Sequence, residues 1–132
     1  MFIFTIFFNL LTFIHSLYLL ACLPAYNEEG IIGNLIKKII PLVDSVVVCD
    51  DGSTDLTSKE SQDAGAFVIQ HLQNKGKGAA LQSLFDFARH SNADVIVTID
   101  GDGQFLPEEI KKLIEDIENG KSDIVIGYRF ET

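Results

Sequence analysis

Four polar clusters hold the side chains of this sequence that could do chemistry. They read PAYNEE at residues 24–29, DDGSTD at 50–55, NKGKGAA at 74–80 and DGDGQ at 100–104. Asp100 and Asp102 stand two positions apart around one glycine, so their carboxylates can point into a single site. That is how a hard divalent cation bridging phosphate oxygens is held. The alternative for this cluster is a surface turn rich in Asp and Gly.

The adjacent pair Asp50 and Asp51 predicts a second ligand-facing position. Three carboxylates fall between residues 50 and 55, and like charges this close raise each other's pKa unless a metal or a hydrogen-bond donor compensates. Helix capping by Ser53 or Asp55 explains part of this composition but not the adjacent pair. We therefore interpret the pair as facing a ligand.

The other two clusters carry weaker signals when each is taken alone. The 24–29 cluster favours a turn before a helix, because Asn27 can cap and the glutamates suit the positive end of a helix dipole. The 74–80 cluster is a glycine-rich loop whose backbone N–H groups can approach a phosphate, with Lys77 as an added positive charge. Its spacing matches neither the P-loop nor the dinucleotide-binding fingerprint.

The elements that must position these clusters follow from hydrophobic periodicity. Short apolar runs alternate with longer amphipathic segments, which is typical of βα units around a largely parallel sheet. The five predicted strands are 17–23, 45–49, 66–70, 94–99 and 123–127, and the predicted helices are 28–40, 56–64, 77–90 and 107–119. Every polar cluster falls just after the carboxyl end of a predicted strand, where ligands bind in open α/β sheets.

Composition narrows the domain count and the classes of partner. The chain has 132 residues and is 47% hydrophobic, which suits one packed core. Its formal charge of -9 and its 10 scattered Lys and Arg residues give no basic stripe, which excludes a nucleic-acid-binding class. Cys22 and Cys49 lie in apolar runs, so we expect reduced, buried thiols rather than a disulfide or a metal site.

Residues 1–15 form a hydrophobic leader before the domain, which we assign to residues 16–132. The apolar run continues to residue 23, but its last part is also the first predicted strand. That leaves about 15 residues, or roughly 22 Å of helix, which is short for a bilayer crossing. We expect the leader to touch or partly enter a membrane, placing the protein on the cytoplasmic side, peripheral or anchored. The alternative is a mis-assigned or truncated gene start.

Taken together, the clusters resemble the motifs of family 2 glycosyltransferases, which have the GT-A fold, and most closely the polyprenyl-phosphate sugar transferases that include dolichyl-phosphate mannose synthase. The order PAYNEE, CDDGSTD, NKGKGAA, DGDGQ and a strand ending IGYR matches the family from residue 23 to residue 129. The resemblance implies a Rossmann-like, mostly parallel sheet with helices on both faces, truncated at its C-terminus. It also implies transfer of a sugar from UDP or GDP, with Mg²⁺ or Mn²⁺ and with inversion, to a lipid phosphate or a glycan.

The resemblance further implies roles for individual residues. The nucleotide-sugar donor would contact Pro24, Ala25, Tyr26, Glu28, Asp50, Asp51, Lys77, Asp100 and Asp102. Asp51 would contact the base with Asp50 supporting it, while Asp100 and Asp102 would form the catalytic, metal-binding DxD motif with Gln104 close to the metal. The sequence departs from the family at Phe105, where His is common, and at Gly127-Tyr128-Arg129, where Gly-Ser-Arg is common, so the role of Arg129 is not carried over.

Three other interpretations stay open. A response-regulator receiver domain also has five strands and an acidic pair, but that pair follows its first strand and a Lys follows its last. A haloacid-dehalogenase-like phosphatase is suggested by DGDG, although its nucleophilic Asp opens the domain. The third is a truncated nucleotide-binding module without turnover, because the family's acceptor-binding portion follows the DxD strand. We expect residues 1–132 alone to be inactive in sugar transfer.

Overall fold

The computed structural model describes residues 2–5, 16–104, 106 and 108–126, with the backbone only for residues 2–5 and 124–126. In this part of the chain the sheet has six strands and the chain has four α-helices. The order is β1 (Phe2–Thr5), β2 (Leu19–Ala25), α1 (Ile32–Ile39), a 3₁₀ turn (Ile40–Leu42), β3 (Ser45–Asp50), α2 (Thr57–Asp63), β4 (Phe67–Gln70), α3 (Lys77–Arg89), β5 (Val95–Thr98), α4 (Glu109–Glu118) and β6 (Ile124–Ile126).

The predicted alternation of strands and helices is confirmed, with two corrections. The expected number of strands was wrong, because β1 lies inside the apolar leader and was not predicted. Asp55 was also expected to cap α2, but Leu56 occupies the N-cap position. Asp55, one residue before the N-cap, still accepts the Thr57 N–H at Oδ1, at 3.0 Å. It therefore satisfies one of the amides in the first turn of α2 that lack a partner within the helix.

The sheet is mostly parallel, as predicted, with the strand order β4-β3-β2-β5-β1-β6. Strands β2 to β5 pair in parallel with one another, whereas β1 runs antiparallel to both β5 and β6. The parallel pairing of β2 with β3 and β5 sets the carboxyl ends of all three at one edge. The polar clusters that follow these strands are thereby brought together.

Helices cover both faces of the sheet, as predicted. Because successive strand residues point to opposite faces, Leu19, Ala21 and Leu23 join one core while Leu20 and Cys22 join the other. Helices α1 and α4 pack against the first face through Ile32, Leu35, Ile36, Ile39, Ile110, Ile114 and Ile117. Helix α3 packs against the second face through Ala80, Leu84 and Ala88.

The two cysteines are free and buried, as expected. Burial raises the pKa of the Cys22 thiol to about 12. The pKa of Cys49 is raised to about 11 by burial and then by the charges of Asp51 and Asp50. Both side chains therefore act as small apolar groups of the core rather than as reactive thiols.

Several sequence predictions fall outside the described residues. They include residues 6–15 of the leader, Phe105, Pro107 and Gly127-Tyr128-Arg129, so the membrane contact of the leader stays a prediction. Among the described helices, none has the length and apolar character needed to cross a membrane.

Candidate functional site

A cavity of about 520 Å³ opens at the carboxyl ends of the parallel strands. Its volume lies in the range of about 300–1,000 Å³ that is usual for small-molecule sites. Eight of the nine predicted donor-contacting residues line it, and the exception is Asp50. The full lining is Pro24, Ala25, Tyr26, Glu28, Asp51, Asn74, Gly76, Lys77, Ala80, Asp100, Gly101 and Asp102.

Asp50 lies one layer behind the cavity and holds the loop that follows β3. Its carboxylate is 1% exposed. Oδ1 accepts the Ser53 N–H at 2.9 Å, and Oδ2 accepts the Ser58 hydroxyl on α2. Asp50 therefore holds the loop behind Asp51, and its support of a contact between Asp51 and the base stays a prediction.

Asp51 forms part of the cavity wall, although its residue is only 3% exposed. Its Oδ1 accepts the Lys75 N–H at 2.9 Å, and its Oδ2 accepts the Gly76 N–H at 2.8 Å. Oδ1 also lies 2.8 Å from Nδ1 of His71. Burial opposes ionisation, but the hydrogen bonds from His71, Lys75 and Gly76 outweigh it and leave the pKa of Asp51 below its usual value. The wall thus presents an ionised carboxylate that can only accept hydrogen bonds.

His71 is the site residue that sequence reasoning missed. Its ring bridges two elements, because Nδ1 contacts Asp51 after β3 while Nε2 lies 2.8 Å from the Ser83 hydroxyl of α3. It lies outside the four polar clusters that the sequence analysis identified. The available signal was its position directly after β4, at the same sheet edge as the other clusters.

The loop after β2 is tied to the loop after β3 by side-chain hydrogen bonds. Asn27, expected as a helix cap, instead adopts φ 50 and accepts the Thr54 N–H at 2.9 Å, so that expectation was wrong. The Asn27 N–H donates to Ser53 at 2.9 Å, and the Glu28 N–H donates to Thr57 at 2.8 Å. These contacts fix the segment that carries Tyr26 and Glu28 into the cavity wall.

Negative charge is concentrated in the part of the cavity lined by Glu28, Asp100 and Asp102. Burial, followed by the charges of Asp102 and Asp55, raises the pKa of Glu28. Asp100 is balanced by Lys77, whose Nζ lies 2.6 Å from Oδ1, and both side chains are more than half exposed at 62% and 55%. An exposed pair of this kind contributes about 0–1 kcal/mol, so another cation can replace the lysine at Asp100.

Asp100 and Asp102 are suitable ligands for a divalent cation. Mg²⁺ uses one or two protein carboxylates and completes its shell with water and substrate phosphates, and both carboxylates line the cavity. Within the described part of the chain, no cluster of three or more His, Cys, Asp or Glu residues forms a closed metal cage. The Gln104 N–H donates to Asp102 at 3.0 Å, but its side chain is outside the cavity lining, so its contact with a metal stays a prediction.

Helix α3 begins at the cavity and supplies positive potential there. Gly76 precedes its first residue, and Gly76, Lys77 and Ala80 all line the cavity. The free N–H groups and the dipole of a helix N-terminus favour an anion. The same cavity therefore holds positive groups suited to phosphate and, in contact with Lys77 at Asp100, carboxylates suited to a divalent cation.

Comparison with known proteins gives matches over most of the chain. Residues 21–132 match the sequence model of glycosyl transferase family 2. The UDP-N-acetylglucosamine–dolichyl-phosphate N-acetylglucosaminyltransferase of Methanococcus voltae is 33% identical over 127 residues, which cover 83% of this chain and 51% of that protein. The dolichol-phosphate mannosyltransferase of Pyrococcus furiosus is 36% identical over 116 residues, covering 82% of this chain and 32% of that protein.

A solved structure supports the same assignment. The glucosyl-3-phosphoglycerate synthase of Mycobacterium tuberculosis, in complex with Mn²⁺, UDP and glucosyl-3-phosphoglycerate, superposes with a TM-score of 0.65 at 33% identity. The match covers 77% of this chain and 40% of that one. This chain also spans only 44%, 51% and 52% of the length of three curated relatives. The family match and the shared fold agree, and the chain belongs to glycosyl transferase family 2.

Proposed function

We propose that this chain binds a nucleoside-diphosphate sugar together with Mg²⁺ or Mn²⁺ and serves its transfer to a polyprenyl phosphate or glycan acceptor. The observation that carries the proposal is the convergence of four separate sequence clusters on one cavity of about 520 Å³. A structural relative was crystallised with Mn²⁺ and UDP, which supports the donor class. Curated relatives are named for dolichyl-phosphate and dodecaprenyl-phosphate, which supports a lipid-phosphate acceptor.

The reaction requires the bond between the anomeric carbon and the donor diphosphate to break, with the electron pair leaving on the diphosphate. Asp100 and Asp102 would hold the divalent cation, which neutralises that developing charge. Lys77 and the N-terminus of α3 line the same cavity and would face the same phosphates. Attack from the opposite side of the sugar inverts the anomeric centre. A phosphate acceptor is already ionised near neutral pH, so it requires no strong protein base.

Calorimetric titration tests donor binding directly. UDP, GDP and their sugar conjugates are titrated into the purified chain with and without Mn²⁺ or Mg²⁺, and the series is repeated on Asp102→Ala. We expect metal-dependent binding that the substitution weakens at least about tenfold, because a charge-assisted contact is lost. Asp116→Ala is the matched control, since the side chain of this exposed residue of α4 forms, within the described part of the chain, only a distant ion pair with Lys121 at 4.0 Å. A folded chain that binds none of these nucleotides would overturn the proposal.

Membership of the family removes the receiver and phosphatase alternatives and leaves one non-catalytic candidate. That candidate is a module that binds the donor without turnover, and the chain spans about half the length of several curated relatives. An assay of residues 1–132 with radiolabelled donor and polyprenyl phosphate separates the two. Product at any rate above the uncatalysed background excludes the binding module, and donor binding without product supports it.

For residues 6–15 we propose contact with a cytoplasmic membrane surface. These residues are largely apolar and carry no charge, and ten residues span about 15 Å as a helix, less than a bilayer crossing needs. The test is co-sedimentation with phosphatidylcholine vesicles. Phe7→Glu with Phe8→Glu should abolish binding, whereas Leu72→Glu, at a fully exposed position, should not. Binding that survives the leader substitutions would contradict the proposal.

A further inference from the structure

We propose that His71 is a positioning residue that aims the carboxylate of Asp51 at the base of the bound nucleotide. The inference rests on the proposed function, because it assumes that a nucleotide fills the cavity. It concerns a histidine that lies behind the cavity wall and does not line it. Two observations support it: the buried chain of polar contacts through His71, and the hydrogen bonds that Asp51 accepts. A chemical argument adds to them, because the ionised carboxylate of Asp51 can only accept hydrogen bonds.

The contacts form a continuous chain from α3 to the cavity wall. The Ser83 hydroxyl lies 2.8 Å from Nε2 of His71, and Nδ1 lies 2.8 Å from Oδ1 of Asp51. The side chains of His71 and Asp51 are only 9% and 5% exposed. An ionised carboxylate has no proton to give, so Nδ1 must be the donor in this contact. The ring is held from both sides and has little freedom to rotate.

Asp51 depends on this contact for the orientation of its carboxylate. Oδ2 is held by the Gly76 N–H, and Oδ1 is held by Lys75 and by His71. The terminal torsion of an aspartate is broad, so hydrogen bonds rather than rotamer preference fix its plane. Both backbone donors come from the loop before α3. His71 is therefore the contact that fixes the carboxylate independently of that loop.

The orientation of Asp51 matters because an ionised carboxylate discriminates between bases. Uracil and guanine present a ring N–H on the pairing edge, which the carboxylate can accept. Cytosine and adenine present a lone pair at the corresponding ring nitrogen, which the carboxylate repels. A site built to accept a particular N–H rejects the analogue that lacks it, provided that the acceptor is held in place. The ratio of affinities within each pair of nucleotides therefore reports on the positioning of Asp51.

Two substitutions at His71 separate the Asp51 contact from general packing. His71→Asn places an amide nitrogen near the position of Nδ1 and keeps a donor to Asp51. His71→Gln reaches the position of Nε2, so it keeps a polar contact with Ser83 and loses the donor to Asp51. His90→Asn is the control, because His90 is exposed at the end of α3 and its ring contacts only the Asp86 carbonyl among the described contacts, at 2.8 Å.

The experiment measures the affinities of UDP and CDP, and of GDP and ADP, by calorimetry with Mn²⁺ present, alongside near-ultraviolet circular dichroism. We expect the wild type and His90→Asn to prefer the N–H-bearing base at least about tenfold, His71→Asn to keep most of this preference, and His71→Gln to reduce it to about twofold. A folded His71→Gln with wild-type selectivity would overturn the inference alone. Wild-type protein that binds no nucleotide would overturn the proposed function as well.

If His71→Gln fails to fold, Ser83→Ala keeps the inference testable. That change removes the Ser83 contact at Nε2 and leaves there only the longer contact with the Cys49 thiol, at 3.6 Å, among the described residues, so the ring is held less firmly while Nδ1 stays in place. We expect a partial loss of base preference with an unchanged dependence on Mn²⁺, because Asp100 and Asp102 are untouched. A Ser83→Ala protein with the full wild-type preference would contradict the role of the chain of contacts.

Discussion

At the scale of single residues, burial divides the aspartates of this site into two kinds. Asp50 and Asp51 are nearly inaccessible and accept several hydrogen bonds from the protein itself. Asp100 and Asp102 lie on the cavity wall, and Asp100 is more than half exposed. The buried pair organises the loops, whereas the exposed pair keeps its oxygen atoms available for a ligand.

Asp51 should make stability depend on pH in the acid range. Because its pKa is lowered on folding from the usual 3.8, its contribution to the free energy of unfolding is fully present above that value and is lost as pH falls through the lowered pKa. We expect Asp51→Asn to cost about 1–3 kcal/mol at pH 7 and the difference from wild type to shrink below about pH 4. Urea unfolding between pH 2 and pH 7 measures it. A difference that is constant with pH would contradict the shift.

Lys77 should compete with the divalent cation for Asp100 and should strengthen the binding of the nucleotide. Its ammonium group occupies Asp100, so Lys77→Met frees that carboxylate but removes a charge facing the phosphates. We expect Mn²⁺ to bind about threefold more tightly without nucleotide, and UDP about tenfold more weakly, from changes of about 1 kcal/mol each. Electron paramagnetic resonance and calorimetry measure the two affinities. Lys59→Met is the control, because Lys59 forms a similar exposed pair with Asp63 at 2.6 Å on α2. An unchanged affinity for Mn²⁺ in Lys77→Met would show that Lys77 does not compete with the cation for Asp100.

Residue types and spacing were enough to predict most of the cavity lining. The clusters after β2, β3 and β5 were identified because carboxyl ends of parallel strands share one edge. His71 could not be predicted in the same way, since its partners Asp51 and Ser83 are 20 and 12 positions away and become neighbours only in the fold. Asn27 was misassigned for the same reason, because its side chain bonds Thr54 rather than its own helix.

At the scale of elements, the loop after β3 and the loop before α3 pack directly against each other beside the cavity. Gly52 adopts φ +76, and a Cβ placed on it would lie 2.4 Å from the backbone nitrogen of Asn74. The loop after β3 and the loop before α3 thus approach backbone to backbone. Periodicity predicted both flanking elements, but a contact between two loops leaves no periodic signal. The start of α1 was predicted too early, at residue 28. Residues 28–31 form a turn, and the helix begins at Ile32.

Gly52→Ala should disrupt this loop contact and the cavity together. The new methyl group meets backbone rather than a flexible side chain, and a positive φ disfavours alanine. We expect a loss of more than about 2 kcal/mol in the free energy of unfolding, together with weakened UDP binding. The matched control is Gly78→Ala, where no atom lies within 4 Å of the new methyl group and the change should be neutral or stabilising by up to about 1 kcal/mol. Chemical denaturation measures both, and equal effects at the two positions would contradict the proposed loop contact.

At the scale of the whole molecule, the sheet has a position between β5 and β6 that no strand of its βα units fills. The connection from β5 through α4 to β6 skips one strand, and β1 occupies the gap as an antiparallel strand. The sequence did not predict this, because a nearly continuous apolar run has the same appearance in a membrane segment and in a buried strand. The parallel part could be predicted from alternation alone, whereas the antiparallel insertion required the three-dimensional structure.

The pairing of β1 makes the N-terminus part of the fold, and one substitution tests this. Ile3 lies opposite Val97 of β5 and Val125 of β6, and proline cannot donate a ladder hydrogen bond inside a sheet. We expect Ile3→Pro to lower the free energy of unfolding by about 2–4 kcal/mol and to promote self-association through the exposed edge of β5, whereas Ile3→Val should change little. Urea unfolding, light scattering and hydrogen exchange at Phe2–Thr5 measure these effects. Unprotected amides at Phe2–Thr5, with a stability unaffected by proline, would remove β1 from the sheet and extend the segment available for membrane contact from residues 6–15 to the whole leader.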